Sequence, residues 1–336
     1  MTESKRPPSD FPDIFSRGEK GAAMADAATL PAMRARRGGA SRFFAALWRG
    51  AVGPIVVVCA AIVALWYLGA VLMNADLQRS AFENAGRKSW TTAELVAGTL
   101  SQERPKLPAP HQVAQELWKT VVDTPATSKR SLVYHGGVTL SATLLGFLFG
   151  AGLGVGLAVL IVHVKSLERS LMPWIISSQT IPIIALAPMI VIILNQLDIT
   201  GIVPKAAIAA YLSFFPVTVG MVKGLRSPDP LQLDLMRTYS ASQAQTFWSL
   251  RLPACVPFLF ASLRVGVAAA LVGTVVAELT QSADGGFGAR LLAGSYYGQT
   301  IQIWAAIFAA AACACALIAA VALADRIVAR RMGYAR

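Results

Sequence analysis

Six stretches of this sequence are each long enough and apolar enough to cross a lipid bilayer, and that feature removes most soluble folds from consideration. They run over about 51–73, 138–164, 174–194, 202–222, 256–277 and 301–324. At 1.5 Å per helical residue, about twenty residues reach across a hydrocarbon core of about 30 Å. Inside that core every backbone N–H and C=O needs a partner within the protein, so the spans are expected to be helices. Composition agrees: 55% of the residues are hydrophobic and only 14% charged, against roughly 25% charged in soluble domains. So little charge cannot clothe a surface that faces water. The expected fold class is an all-α integral membrane protein of about six transmembrane helices.

The net charge of +12 would suit a nucleic-acid binder, yet its distribution points elsewhere. With the N-terminus inside, segments 1–50, 165–172, 223–255 and 326–336 hold nineteen Lys and Arg, whereas the short outer loops hold only Lys205 and Arg290. That asymmetry follows the positive-inside pattern, which puts both termini in the cytoplasm and leaves lipid, not nucleic acid, as the partner. Residues 1–50 read as a disordered basic tail. Five acids before Ala27 and the long span that follows argue against a cleaved leader. Residues 326–336 read as a second basic tail. Three His and four scattered Cys make no metal framework, and Cys59, Cys313 and Cys315 sit in apolar runs as small hydrophobes.

The polar segment 74–135 is expected outside. Its first part, 74–106, has too few apolar residues for a core of its own and reads as an elaboration. Lys106-Leu-Pro-Ala-Pro110 marks a break, after which Val113, Leu117 and Val121 recur at helical spacing, predicting a short amphipathic helix that ends near Pro125. Residues 136–325 form the five-helix remainder. Its first span carries Gly146, Gly150, Gly152, Gly154 and Gly156, small residues that let helices approach closely in lipid. Pro182, Pro188 and Pro216 interrupt later spans and free backbone carbonyls that a neighbour or a wet cavity must satisfy.

One charged loop differs from the rest. Pro228 and Pro230 punctuate its entry, and Leu231, Leu235, Met236 and Tyr239 then form an apolar stripe at helical spacing. Ser240-Ala-Ser242 supplies a turn and an N-cap, and a second short helix carries Phe247, Trp248 and Leu250 up to Pro253. A helical hairpin with one apolar face suits a socket on a soluble partner.

At this loop the sequence resembles the binding-protein-dependent ABC importer permeases. Their loop pattern is Glu-Ala-Ala, three residues, Gly, nine residues, Ile, one residue, Leu-Pro. It falls here on Asp234, Leu235, Met236, Ser240, Leu250, Leu252 and Pro253. The spacing is complete, but Asp replaces the acid, Leu and Met the alanines, and Ser the glycine, which tolerates a positive φ better. The likeness extends over roughly 107–325 and is to the nitrate/taurine/alkanesulfonate branch. It includes Thr139-Leu-Ser-Ala-Thr-Leu-Leu-Gly-Phe147, Gln179-Thr-Ile-Pro-Ile-Ile-Ala-Leu-Ala-Pro188, Phe214-Phe-Pro216, Leu263-Arg-Val-Gly266, Val276-Ala-Glu278 and Gly285-Gly-Phe-Gly288.

The resemblance implies a type I ABC importer permease fold in a bacterial inner membrane, paired as a homodimer. Two ABC ATPase subunits would sit beneath it and a periplasmic substrate-binding protein above. It implies that Asp234 to Pro253 couples to the ATPase, and it makes Gln179, Pro182, Pro188, Pro216 and Glu278 candidates for the pathway or gate. The cargo would be a sulfonate, a nitrate-like anion or a pyrimidine-type compound. No Gly-x-x-x-x-Gly-Lys-[Ser/Thr] occurs, so no cofactor is expected in this chain; ATP and Mg would be held by the partner ATPase. The alternatives are an ion-coupled secondary transporter, which would need charges near the bilayer midplane, and a membrane enzyme, for which no catalytic pairing is found. Arg264, about eight residues into the fifth span, is read as snorkelling, pairing with lipid phosphate or steadying the loop. Glu278 is read as marking the water interface at a span end.

Overall fold

The computed structural model of the chain describes residues 52–87 and 89–333; the tail expected over 1–50 lies outside them. Every regular element among the described residues is helical. The chain divides between Val58 and Cys59, and of the first unit only the opening turns of the first helix are described. The helices are α1 (Val52–Asn84), α2 (Thr92–Leu100), α3 (Pro110–Trp118), α4 (Leu132–His163), α5 (Lys165–Ser178) and α6 (Ile183–Gln196). They continue as α7 (Ile202–Leu225), α8 (Pro230–Thr238), α9 (Gln243–Thr246), α10 (Leu252–Thr280), α11 (Phe287–Tyr296) and α12 (Thr300–Arg331).

Among the described residues, five helical stretches are long and apolar enough to cross a membrane: α1, α4, α7, the run of α9 into α10, and α12. The third span expected at 174–194 is not one helix, because α5 and α6 meet at 102° across Gln179–Pro182. Proline explains the break: Pro182 has no N–H for the ladder of α5, and it holds an extended ψ of 118° before α6 begins. Six crossings result if the bent pair counts as one. Helix ends also differ from the hydropathy limits. α1 runs on to Asn84 rather than stopping at Met73, and α12 continues to Arg331 through most of the expected basic tail. Hydropathy marks where lipid ends, whereas the backbone ladder carries on into water.

α7 lies between α4 and α10, and the approach on both sides is set by residues without bulk. A Cβ on Gly146 would collide with the Ala206 carbonyl, and one on Gly150 with Ser213 Oγ and the Ala210 carbonyl. One on Gly154 would come within 2.8 Å of Phe214 O. These three glycines, four residues apart, face α7, whereas Gly152 and Gly156 meet nothing within 4 Å. On the opposite side Gly224 would crowd Cys255 and Phe258 of α10. Ala158, Ile161, Val217, Met221, Leu225 and Cys255 fill the resulting core. Gly150→Val is therefore expected to destabilise the fold by about 1–3 kcal/mol through overpacking, while Gly152→Val stays near neutral. Detergent-solubilised thermal unfolding of the two variants checks this, and equal midpoints would refute the assignment of faces.

The 74–106 elaboration needs no core of its own because amide side chains pin it to α1. Asn74 is fully buried; its Nδ2 donates to Leu107 O at 2.8 Å and its Oδ1 accepts from Lys106 N at 2.8 Å. Gln102 donates to Gln78 Oε1 at 2.8 Å, and Gln112 donates to Gln102 O at 2.9 Å. α2 opens on a capping box between Thr91 and Glu94. α3 is the expected amphipathic helix and ends in a widened turn over Lys119–Asp123, just before Pro125. Trp66 of α1 donates to Pro108 O at 2.9 Å and stacks on Phe308 of α12 at 5.7 Å between ring centroids.

Candidate functional site

Two assemblies of polar or uncovered side chains lie at opposite ends of α7 and α10. The first is the loop that joins them. Asp229 caps α8 by accepting from Leu231 N at 2.8 Å, while Gln232 reaches back to Asp229 N at 3.2 Å. Pro230 occupies the first turn, where a missing N–H costs nothing. α8 closes with a paired C-terminal motif: Ser240 N donates to Arg237 O at 2.9 Å and Ala241 N to Met236 O at 3.0 Å. That motif needs a left-handed residue at its centre, and Ser240 supplies it with a φ of 54°. Serine thus stands in the strained conformation that glycine adopts freely.

Ser240→Gly is accordingly expected to preserve or slightly raise stability, by about 0.5–1 kcal/mol. The relief of left-handed strain outweighs the added chain entropy of glycine. Ser240→Val should lower it, since a β-branched residue at positive φ is a genuine outlier. Melting temperatures of both variants decide the matter: a glycine variant less stable than the parent contradicts the reading.

After Ser240 the chain is recapped. Ser242 accepts from Gln245 N at 3.2 Å and donates its own N–H to Gln245 Oε1 at 2.8 Å. The expected second short helix does not stop at Pro253. α9 widens into a looser turn over Phe247–Arg251 and runs directly into α10, with Pro253 in the first turn of that helix. Proline is tolerated there because the widened turn asks less of its missing N–H. Phe247 packs its ring 5.2 Å from that of His163 on α4, and Arg251 Nη1 donates to Leu225 O at 3.1 Å. The Arg226 guanidinium donates to Glu168 of α5 at 2.6 Å, a bond that raises its proton affinity further.

The loop is thus fixed from beneath and bare above. Leu231, Leu235 and Tyr239, spaced four apart on α8, are 77%, 55% and 77% exposed. Met236, predicted to share their stripe, is half-buried on the flank, as are Leu250, Leu252 and Pro253. Asp234 is exposed and pairs with Arg237 at 2.9 Å, an exposed bond worth at most about 1 kcal/mol.

The second assembly surrounds Glu278. On α4, His135, Thr139 and Thr143 fall on one face at four-residue intervals, and on α10 Thr274 and Glu278 do the same. Glu278 is fully buried, which corrects its reading as a marker of the water interface. Thr139 Oγ1 donates to its carboxylate at 2.8 Å, and Gly288 N donates at 2.9 Å. Thr139 in turn accepts from Phe287 N at 2.9 Å, and Thr143 donates to Thr274 Oγ1 at 3.0 Å. Gly286 N donates to His135 Nδ1 at 2.9 Å. An N–H can only donate, so Nδ1 carries the lone pair and Nε2 carries the proton toward Lys129 O, 3.0 Å away. Gly286, Phe287 and Gly288 are thus each stitched to α4 or α10. Glycine is required there: Gly286 has a φ of 113°, and a Cβ on it would strike the Glu278 carboxylate.

The other candidates are dispersed. Gln179 and Pro182 flank the break between α5 and α6 and are exposed, Pro188 lies within α6, and Pro216 is half-buried in α7. α6 packs Ala187 and Val191 against Ile208 and Ala277, next to Glu278. Arg264 hydrogen-bonds Asp325 of α12. Sequence reasoning passed over Thr139 and His135 as site residues and counted Lys205 to an outer loop, whereas it is buried within α7. The signal was present in the four-residue spacing of His135, Thr139 and Thr143 along an otherwise apolar helix.

Comparisons with known proteins bear on both assemblies. A family model described as "Binding-protein-dependent transport system inner membrane component" matches residues 146–334, more than half of the chain. A probable ABC transporter permease protein of Haemophilus influenzae is 32% identical over 53% of this chain and 68% of its own length. The formylaminopyrimidine transport permease protein ThiX of Halalkalibacterium halodurans is 32% identical over 53% of the chain and 67% of its own length. The putative aliphatic sulfonates transport permease protein SsuC of Bacillus subtilis is 28% identical over 56% and 70% respectively. The matched region takes in the loop between α7 and α10, Glu278 and the 285–288 turn.

Proposed function

Because the chain belongs to the family of inner membrane components of binding-protein-dependent transport systems, we propose that it forms the solute pathway of an ATP-driven importer. It is a multi-pass membrane protein with the all-helical type I permease fold, and transport rather than catalysis is its role. In this reading two copies pair in a bacterial inner membrane with both termini in the cytoplasm. Two ATPase subunits dock on the α8 loop, and a periplasmic binding protein delivers cargo at the Glu278 end. ATP and Mg belong to the ATPase. The cargo is a small solute such as a sulfonate, a nitrate-like anion or a pyrimidine-type compound; the relatives' names include each of these classes, and riboflavin besides.

One observation carries the proposal: the uncovered ridge of Leu231, Leu235 and Tyr239 on a loop otherwise well fixed to the transmembrane helices. Three such side chains bare in a row mark a contact surface. Such a ridge passes force only if its partner touches it differently in two states. The reading is tested by orientation and by uptake. In intact cells with a cysteine-free background, an impermeant maleimide should label Glu103→Cys and Ala283→Cys but not Ser227→Cys or Gly333→Cys. ATP-dependent uptake should appear in proteoliposomes only with ATPase and binding protein both present. Labelling of Ser227→Cys from outside would reverse the topology and remove the docking face from the ATPase.

A further inference from the structure

A cleft of about 240 Å³ opens beside the 285–288 turn, lined by Lys129, Tyr134, His135, Ser282, Asp284 and Arg290 among others. Its donors outnumber its acceptors. Arg290 is half-buried on α11 and has no ion-pair or hydrogen-bond partner for its guanidinium among the described residues. Lys129 is exposed and offers only its backbone carbonyl, to His135. The single carboxylate of the lining, Asp284, is engaged by the buried ammonium of Lys205 at 3.6 Å. His135 is saturated at both ring nitrogens and stays neutral. Beyond the lining, Glu116 of α3 and Arg130 act on Arg290 in opposite senses.

We propose that this cleft is a binding site for a small oxyanion, held by the Arg290 guanidinium and the Lys129 ammonium with the hydroxyls of Tyr134 and Ser282 as further donors. A half-buried guanidinium without a partner is a desolvated charge, and burial pulls its proton affinity below the usual arginine value. An anion restores what burial removed, and the planar fork of arginine matches the geometry of sulfonate, carboxylate or phosphate. The volume suits one such group on a short stem, because pockets for larger organic ligands run from about 300 Å³ upward. The inference stands apart from the transport reading, since it needs only this chain. The same chemistry is offered by a free solute and by a lipid head group; we assign the free solute.

The test uses the purified full chain in a neutral maltoside detergent, titrated with choline methanesulfonate against choline chloride at matched ionic strength. Methanesulfonate is expected to raise the unfolding midpoint by several degrees along a saturating curve that chloride does not reproduce. Arg290→Gln should abolish the response and Lys129→Gln should weaken it several-fold. Arg290→Lys should retain part of it, and Arg79→Gln on α1 should respond like the parent. Lys129 is exposed, so its variant keeps the test decisive even if Arg290→Gln folds poorly. Equal responses in the parent and in both glutamine variants, or a response matched by chloride, overturn the proposal. A shift produced by phosphatidylglycerol micelles and not by methanesulfonate overturns the assignment to a free solute and gives the site to lipid.

Discussion

Tyr239→Asp is expected to leave the chain inserted in the membrane yet separate it from its ATPase, with uptake lost. No residue of α8 is buried in the chain itself, so the substitution disturbs no internal packing. Tyr239 sits at the C-terminal cap of α8, 77% exposed, at the end of the bare ridge. Placing an unpaired carboxylate into an apolar socket costs several kcal/mol, and about 3 kcal/mol already weakens association more than a hundredfold. Leu235→Glu should act alike, because it shares the ridge. Met236→Glu is expected to be mixed in effect, since that side chain is half-buried and its loss touches the loop's own footing. Co-purification of the ATPase, uptake rate and surface abundance are to be measured together. If Tyr239→Asp and Leu235→Glu both assemble and transport like the parent, the ridge is no docking face.

Glu278→Ala is expected to cost about 3 kcal/mol of stability and to free the 285–288 turn. Removing the carboxylate strands the Thr139 hydroxyl and the Gly288 N–H in a site closed to water, at about 1–3 kcal/mol for each unsatisfied group. Glu278→Gln should lose less, because one oxygen still accepts. Hydrogen exchange separates a local from a global effect: amides of Gly286, Phe287 and Gly288 should exchange far faster in Glu278→Ala, while those in the middle of α7 change little. Unaltered exchange at these three amides would falsify the clamp.

How much of this was legible beforehand depends on what kind of residue carried each feature. The spans and the helices of the 226–251 loop were readable because their signals are local: an apolar run, Pro230 at a helix start, Ser242 before a recapped turn. The bend at Pro182 was visible as a proline but not as a 102° break, since hydropathy is blind to direction. Which glycines of α4 face α7 needed the rotational phase of a second helix, so five candidates reduced to three only in three dimensions. Glu278 was misplaced because a carboxylate near a span end normally meets water. Its partners Thr139 and Gly288 come from another helix and from beyond a turn. The insertion at 74–106 has too few apolar residues for a core of its own, and Asn74 holds it instead by side-chain amide bonds that composition does not reveal.

The run from Gln243 to Thr280 is 38 helical residues, widened only at Phe247–Arg251, about 57 Å at 1.5 Å per residue. Its first residues belong to the docking loop, and two residues before its end stands Glu278, which carries the 285–288 turn. Past the widened turn at Phe247–Arg251, one helix runs from Leu252 to the place where the far turn is held. A few degrees of tilt at one end become several ångströms of travel at the other, in the opposite sense about any pivot between them. The helix is a lever. A spectroscopic label at Ala283 should therefore report on nucleotide bound by a subunit on the far side of the membrane, with no other messenger in between.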